Sequence, residues 1–126
     1  QIKKLDSPEP MKKTIVKKES TLISFEDFQK LDIRTGKIIS VEDHPKADKL
    51  YVIKIDVGEE RTIVAGIRGH YDKTELIGKD IVAICNLEPA TIRGVKSQAM
   101  VLAADDGKLV SLLEADKEIK IGSKIK

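Results

Sequence analysis

From Arg34 to Leu113 the chain is a succession of short β-type runs separated by turn residues, and a single helical pattern interrupts them, after the third run. Arg34–Glu42 is rich in β-forming residues and holds Gly36 within it, which predicts a strand with a bulge or sharp bend. Tyr51, Ile53, Ile55 and Val57 then alternate with Val52, Lys54 and Asp56, the two-residue period of a strand with one buried face. Gly58–Glu60 turns the chain into Arg61–Gly66, completing a hairpin. Asp72–Gly78 carries a cap residue at one end and a glycine at the other, and reads as a short helix. The apolar run Ile81–Leu87 is the fourth strand, Ser97–Ala104 the fifth, and Asp106-Gly107 turns the latter into Lys108–Leu113. Upstream, Ser24 lies three residues before Asp27, with Phe25, Phe28 and Leu31 at helical spacing, so a two-turn helix opens the domain. Ile119–Ile125 alternates once more and reads as a candidate edge strand.

Three strands, a short helix and two more strands is the order of an all-β, five-stranded OB-fold Greek-key barrel, in which the helix plugs the open end. Other small Greek-key or SH3-like barrels compete, but account less well for a helix at that position. With 126 residues, 40% of them apolar, the chain can bury one compact core without metals or disulfides. Cys85 stands alone inside an apolar run, where a thiol behaves as a small hydrophobe. The expected organisation is a flexible basic tail or linker over residues 1–24, then the barrel with a C-terminal extension over 25–126. That tail carries Lys3, Lys4, Lys12, Lys13, Lys17 and Lys18 against Asp6, Glu9 and Glu19. It reads as a solvated linker to an upstream domain, or as a nonspecific gatherer of phosphates. No run approaches a membrane span and no signal-peptide pattern is present, so a soluble cytoplasmic protein is expected.

Catalytic signatures are weak. His44 and His70 are too far apart in sequence to build a metal site with Cys85, and Ala65–Gly69 lacks the third glycine of a dinucleotide fingerprint. Asp105-Asp106 precedes Gly107, where turn formation explains it. Neither a catalytic residue nor a metal or other cofactor is expected. Two long connections are more informative, because an OB barrel binds on the face of strands two and three, bordered by the loops joining strands one to two and four to five. The first, Glu42–Leu50, carries His44, Lys46 and Lys49, and the second, Glu88–Lys96, carries Arg93 and Lys96. Arg34, Lys37, Lys54, Arg61 and Arg68 would border the same face. A basic stripe of this kind positions phosphates even though the net charge is only +2. Aromatics are few, Phe25, Phe28, Tyr51 and Tyr71, and both phenylalanines belong to the helix, so a structured RNA read through shape and backbone suits the chain better than a stacked single strand.

At Asp32–Ile38, His44–Tyr51, Asn86–Pro89 and Gly94–Met100 the sequence resembles the tRNA-binding domain appended to methionyl-tRNA synthetases and found in free-standing tRNA-binding proteins and synthetase cofactors. The resemblance runs from about Phe25 to Lys126. It implies an OB fold, binding to the outside corner of tRNA irrespective of identity, and homodimerisation through segments outside the barrel. By the same resemblance Asn86 and the Ser97-x-x-Met100 pair contact RNA, with core packing the competing role for Met100. Thr35 stands where the family commonly has valine. No part of the chain resembles a synthetase catalytic domain, so the resemblance implies no aminoacylation by this chain. A C-terminal domain or separately encoded β subunit of a methionyl-tRNA synthetase, partnered by tRNA and by the catalytic domain, is the expected identity. A related small secretion chaperone, or a dimerisation module with incidental basic loops, is the alternative.

Overall fold

A computed structural model describes residues 21–126. The segment 1–20, most of the expected tail, lies outside the described residues. Leu31–Lys126 forms one compact unit. The preceding unit holds α1 (Phe25–Gln29), capped as its sequence predicts by the Ser24 hydroxyl, which accepts from Asp27 N at 3.0 Å. None of the α1 residues is buried, and Phe25 and Phe28 stack on one another with centroids 6.4 Å apart.

Nine strands and one helix follow: β1 (Ile33–Asp43), β2 (Tyr51–Asp56), β3 (Glu60–Ala65), α2 (Lys73–Leu76), β4 (Asp80–Ile84), β5 (Ala90–Ile92), β6 (Val95–Ser97), β7 (Met100–Val101), β8 (Ala103–Asp105) and β9 (Val110–Leu112). Five of them form an antiparallel sheet in the order β3-β2-β1-β4-β7, rolled into a nearly closed barrel. The long strand β1 makes the roll possible, because its first half pairs with β4 (Ile33 opposite Ile84, Lys37 opposite Asp80) and its second half with β2 (Lys37 opposite Asp56, Asp43 opposite Tyr51). Gly36 sits at this crossover. A Cβ there would lie 2.7 Å from both Asp56 O and Val57 Cγ1, so its role is close approach of two strands. The bulge that the sequence suggested at Gly36 falls instead between Ile38 and Ser40.

Alternation along β2 buries Tyr51, Ile53 and Ile55 and leaves Lys54 outside, as the sequence period requires. The core gathers these with Ile38, Val57, Ile63 and Ile81. α2 supplies Leu76, which is fully buried, and Asp72 N donates to Glu75 Oε1 at 2.8 Å at the helix start. The helix thus plugs the core from the position between β3 and β4 that its sequence assigns to it.

Three features depart from the sequence reading. Glu88–Lys96, read as an open loop, holds all but the last residue of the β5–β6 hairpin, whose outermost pair is Ala90 with Ser97. Ser97–Ala104, read as one strand, is broken into the end of β6, β7 and the start of β8. The break has a cause in the barrel seam: Ser97 and Gln98 turn toward β3 and hold it by one backbone bond and two side-chain bonds. Gln98 N donates to Thr62 O (2.8 Å), Thr62 N to Gln98 Oε1 (2.9 Å), and Val64 N to Ser97 Oγ (3.0 Å). Arg61 Nη1 adds bonds to Cys85 O (2.9 Å) and Gln98 O (3.0 Å).

The third departure is at the C-terminus, where the expected edge strand is reduced to a strap against the open edge of β1. Gly122 N donates to Thr35 O, Thr35 N to Ser123 O, and Ile125 N to Ile33 O, at 2.8–2.9 Å. The buried Thr35 hydroxyl donates to Lys120 O and accepts from Ser123 N, both at 3.0 Å. Valine at this position could make neither bond, so threonine pins the strap and satisfies an edge otherwise left unpaired.

Candidate nucleic-acid interface

The β5–β6 hairpin closes through Arg93-Gly94, whose φ values of 51° and 90° are both in the left-handed region. That is the backbone of a two-residue type I′ turn, which glycine adopts freely and arginine only at a cost of about 1–2 kcal/mol. Arg93 is held there in part by Arg93 Nη2 donating to Lys46 O at 3.2 Å. A second tie comes from His44, which is 4% exposed. Its Nδ1 accepts from Lys46 N at 3.0 Å, which assigns the proton to Nε2, and Nε2 donates to Ile92 O at 3.0 Å. His44 is therefore a clasp between the β1–β2 loop and the hairpin rather than a surface cation.

Charge is distributed unevenly over the predicted basic residues. Arg34 is bound to Asp32 through Nε (2.9 Å) and Nη2 (2.7 Å) and donates to Val57 O. This forked hydrogen bond holds the Asp32 carboxyl below its ordinary value and raises that of Arg34, against the opposing effect of burial. Lys37 pairs with Asp80 at 2.8 Å, Lys54 with Glu60 at 3.8 Å and Arg68 with Asp43 at 3.5 Å. Arg61 is engaged by Glu59 as well as by the seam. By contrast Lys46, Lys49, Arg93 and Lys96 have no carboxylate within ion-pair distance among the described residues. Three of these, Lys46, Lys49 and Arg93, line one open depression of about 390 Å³ together with Asp48, which pairs with none of them, and Lys96 is exposed on the adjoining β6. A phosphate meeting these four displaces no protein carboxylate, whereas at Arg34, Lys37 or Lys54 it must compete with one.

Residues singled out by the resemblance occupy three different environments. Asn86 is exposed just beyond β4, and its Oδ1 accepts from Asp32 N at 2.8 Å. Ser97 is buried and its hydroxyl is doubly used, accepting from Val64 N and donating to Ala99 O (3.2 Å). Met100 is 46% exposed, so core packing does not account for it. Met100 and Ser97 line a second concavity, a groove of about 250 Å³ whose walls are Val64, Leu87, Glu88, Ala90, Ile92 and Ala99. Leu87, Glu88 and Ile92 went unnoticed as site residues in the sequence. The signal available for them was Arg93-Gly94 flanked by Thr91, Ile92 and Val95, a hairpin pattern weakened by the absence of asparagine or aspartate before the glycine.

An OB barrel with a cationic rim at its loop end belongs, by fold and charge, to the nucleic-acid-binding modules of this architecture. The comparisons narrow that class. A family model described as "Putative tRNA binding domain" matches residues 33–124, and the chain belongs to that family. The methionine–tRNA ligase of Pyrococcus horikoshii is 56% identical over 110 residues, which is 86% of this chain and 15% of the ligase. The chain thus spans less than a fifth of the length of such relatives. Among solved structures, the MetRS related protein from Pyrococcus horikoshii matches with a TM-score of 0.78 at 32% identity, over 83% of this chain and 98% of that one. The CsaA chaperone protein from Picrophilus torridus matches with a TM-score of 0.76 at 38% identity, over 83% of this chain and 100% of that one. Backbone likeness does not separate the two, whereas the 56% identity to a ligase favours the tRNA-binding side.

Proposed function

We propose that this chain is the tRNA-capturing, non-catalytic module of a methionyl-tRNA ligase, either its C-terminal domain or a separately encoded β subunit. The observation that carries this reading is the cluster of Lys46, Lys49, Arg93 and Lys96, none of them ion-paired to a protein carboxylate, on a loop and a hairpin that His44 and Arg93 tie together. Such a cluster supplies affinity for a phosphate backbone without reading sequence, which suits binding irrespective of tRNA identity. Linked to a catalytic domain, or assembled with one, it raises the local tRNA concentration there. It supplies affinity and orientation, while the bond-making chemistry belongs to the catalytic partner. Homodimerisation is part of the same reading, supported by exposed Leu109, Leu113 and Ile119, which lie C-terminal to the five-stranded sheet. Among the described residues no helix is long and apolar enough to cross a membrane; a cytoplasmic location is part of the same proposal, because it is where a ligase module would meet tRNA.

A second reading, a small chaperone, is favoured by the likeness to the CsaA protein. Binding of labelled folded tRNA by fluorescence anisotropy, with single-stranded RNA of equal length as competitor, separates the two. Salt-sensitive binding that the single strand displaces poorly supports the tRNA module. No binding, or equal displacement by the single strand, transfers the function to the chaperone or to a dimerisation module.

A further inference from the structure

The groove beside Met100 is the least explained feature of the cationic rim. Its walls are apolar, and two of its side chains, Leu87 at 42% and Met100 at 46%, are unusually exposed for their type. It is smaller than the roughly 300–1,000 Å³ of drug-sized pockets, and of a size for one flat ring system. Its polar groups are unequal. The Ser97 hydroxyl is spent on Val64 N and Ala99 O. Glu88 has no ion pair or hydrogen bond among the described residues, although it stands on the connection that also carries Arg93 and Lys96. Pro89 follows it and restricts its backbone to extended conformations, which limits where the carboxylate can swing. A lone carboxylate at a phosphate-binding rim repels phosphate, so it requires a different partner.

We propose that the groove receives one unstacked base of the bound RNA, and that Glu88 makes guanine the preferred base. This inference rests on the tRNA-binding reading. Apolar walls and a polarizable thioether give any base a face to lie against. An ionised carboxylate only accepts hydrogen bonds, and it accepts two at once from a fork of adjacent donors. Among the four bases, guanine alone presents two adjacent donors on its Watson–Crick edge, N1–H and N2–H. Adenine and cytosine each place a lone pair beside a single amino group, and uracil places its N3–H between two carbonyl oxygens. Each of these three therefore sets an oxygen or nitrogen lone pair against the second carboxylate oxygen. Groove and rim meet on the β5–β6 hairpin, where Ile92 lines the groove and Arg93 the cationic depression, so a strand whose base enters the groove carries its phosphate past the cations.

The test uses the whole chain and a set of RNA stem–loops with all-uridine loops in which one central position is G, A, C or U, each competing against fluorescently labelled tRNA. The guanine loop should compete about tenfold better than the other three, toward the low end of what a bidentate contact discriminates. Glu88→Gln should shrink that preference to less than about threefold with an unchanged melting temperature, and Met100→Ala should weaken all four loops together. Equal competition by the four loops, with labelled tRNA still bound, overturns the guanine site and leaves the tRNA-binding reading standing. A preference for another base, or a guanine preference that survives Glu88→Gln, also overturns it. Failure of the labelled tRNA itself to bind overturns both.

Discussion

Replacing Ser97 by alanine separates a staple of the barrel from a contact on its surface. In the structure the Ser97 hydroxyl accepts from Val64 N at 3.0 Å and donates to Ala99 O at 3.2 Å, and Ser97 is buried. Alanine fits the same space but leaves the Val64 amide without its acceptor at the β3–β6 seam. An unsatisfied buried donor costs about 1–3 kcal/mol; Val64 is half-buried, so about 2 kcal/mol is the upper end here, and Ala99 O, with lone pairs open to other donors, adds little. For a folded unit of about 100 residues, 2 kcal/mol corresponds to a fall in melting temperature of roughly 8–16 °C. Thermal unfolding followed by circular dichroism, with urea unfolding to check that the slope is unchanged, measures this directly. Met100→Ala is the control, since its exposed side chain should change stability by no more than about 0.5 kcal/mol. Loss of RNA affinity in Ser97→Ala without loss of stability would refute the staple and make Ser97 a direct contact.

Other perturbations follow from the same geometry. Gly36→Ala places a methyl 2.7 Å from Asp56 O and Val57 Cγ1, and should lower the melting temperature by at least about 10 °C or prevent folding; an unchanged transition would show that β1 and β2 can separate at no cost. Arg93→Asn relieves a left-handed arginine, so it should raise stability by about 0.5–1 kcal/mol while weakening tRNA binding several-fold, and tighter binding would contradict the rim assignment. The Asp32 carboxyl is held below its ordinary value of 3.8 by Arg34, so the stability it adds is fully present above that value and is lost as pH falls through the lowered folded value. The gap in urea midpoint between the wild-type chain and Asp32→Asn should therefore be full at pH 6 and close on acidification, and a gap independent of pH would remove the ion pair from the account.

Legibility in the sequence followed the range of the interaction. Tyr51, Ile53 and Ile55 could be placed because a half-buried strand writes its period into neighbouring residues, and Leu76 because its helix carries a cap and a stop. The seam had no such signature, since Ser97 and Gln98 bond to residues more than thirty positions away. Charge shows the same limit. The sequence grouped Arg34, Lys37 and Lys54 with Lys46 and Lys49, but Lys37 and Asp80 are direct partners across β1 and β4, a neighbour relation that exists only after the sheet has formed. His44 was readable as a basic-loop residue and proved to be a buried clasp, because its partner Ile92 belongs to a hairpin the sequence had hidden behind Pro89.

The central claim is that the cations with no ion-pair partner in the protein, and not basic residues at large, hold the RNA. It is tested most directly by comparing two triple variants in tRNA binding at 50 and 200 mM salt: Lys46, Lys49 and Lys96 changed to glutamine, and Arg34, Lys37 and Lys54 changed to glutamine. With about four phosphates held, wild-type affinity should fall roughly 50- to 150-fold between the two salt concentrations. The first variant should bind far more weakly at low salt and lose most of that salt dependence, while the second, once shown to be folded, keeps both. Equal losses in the two variants, or a salt dependence that the first leaves intact, would contradict the account.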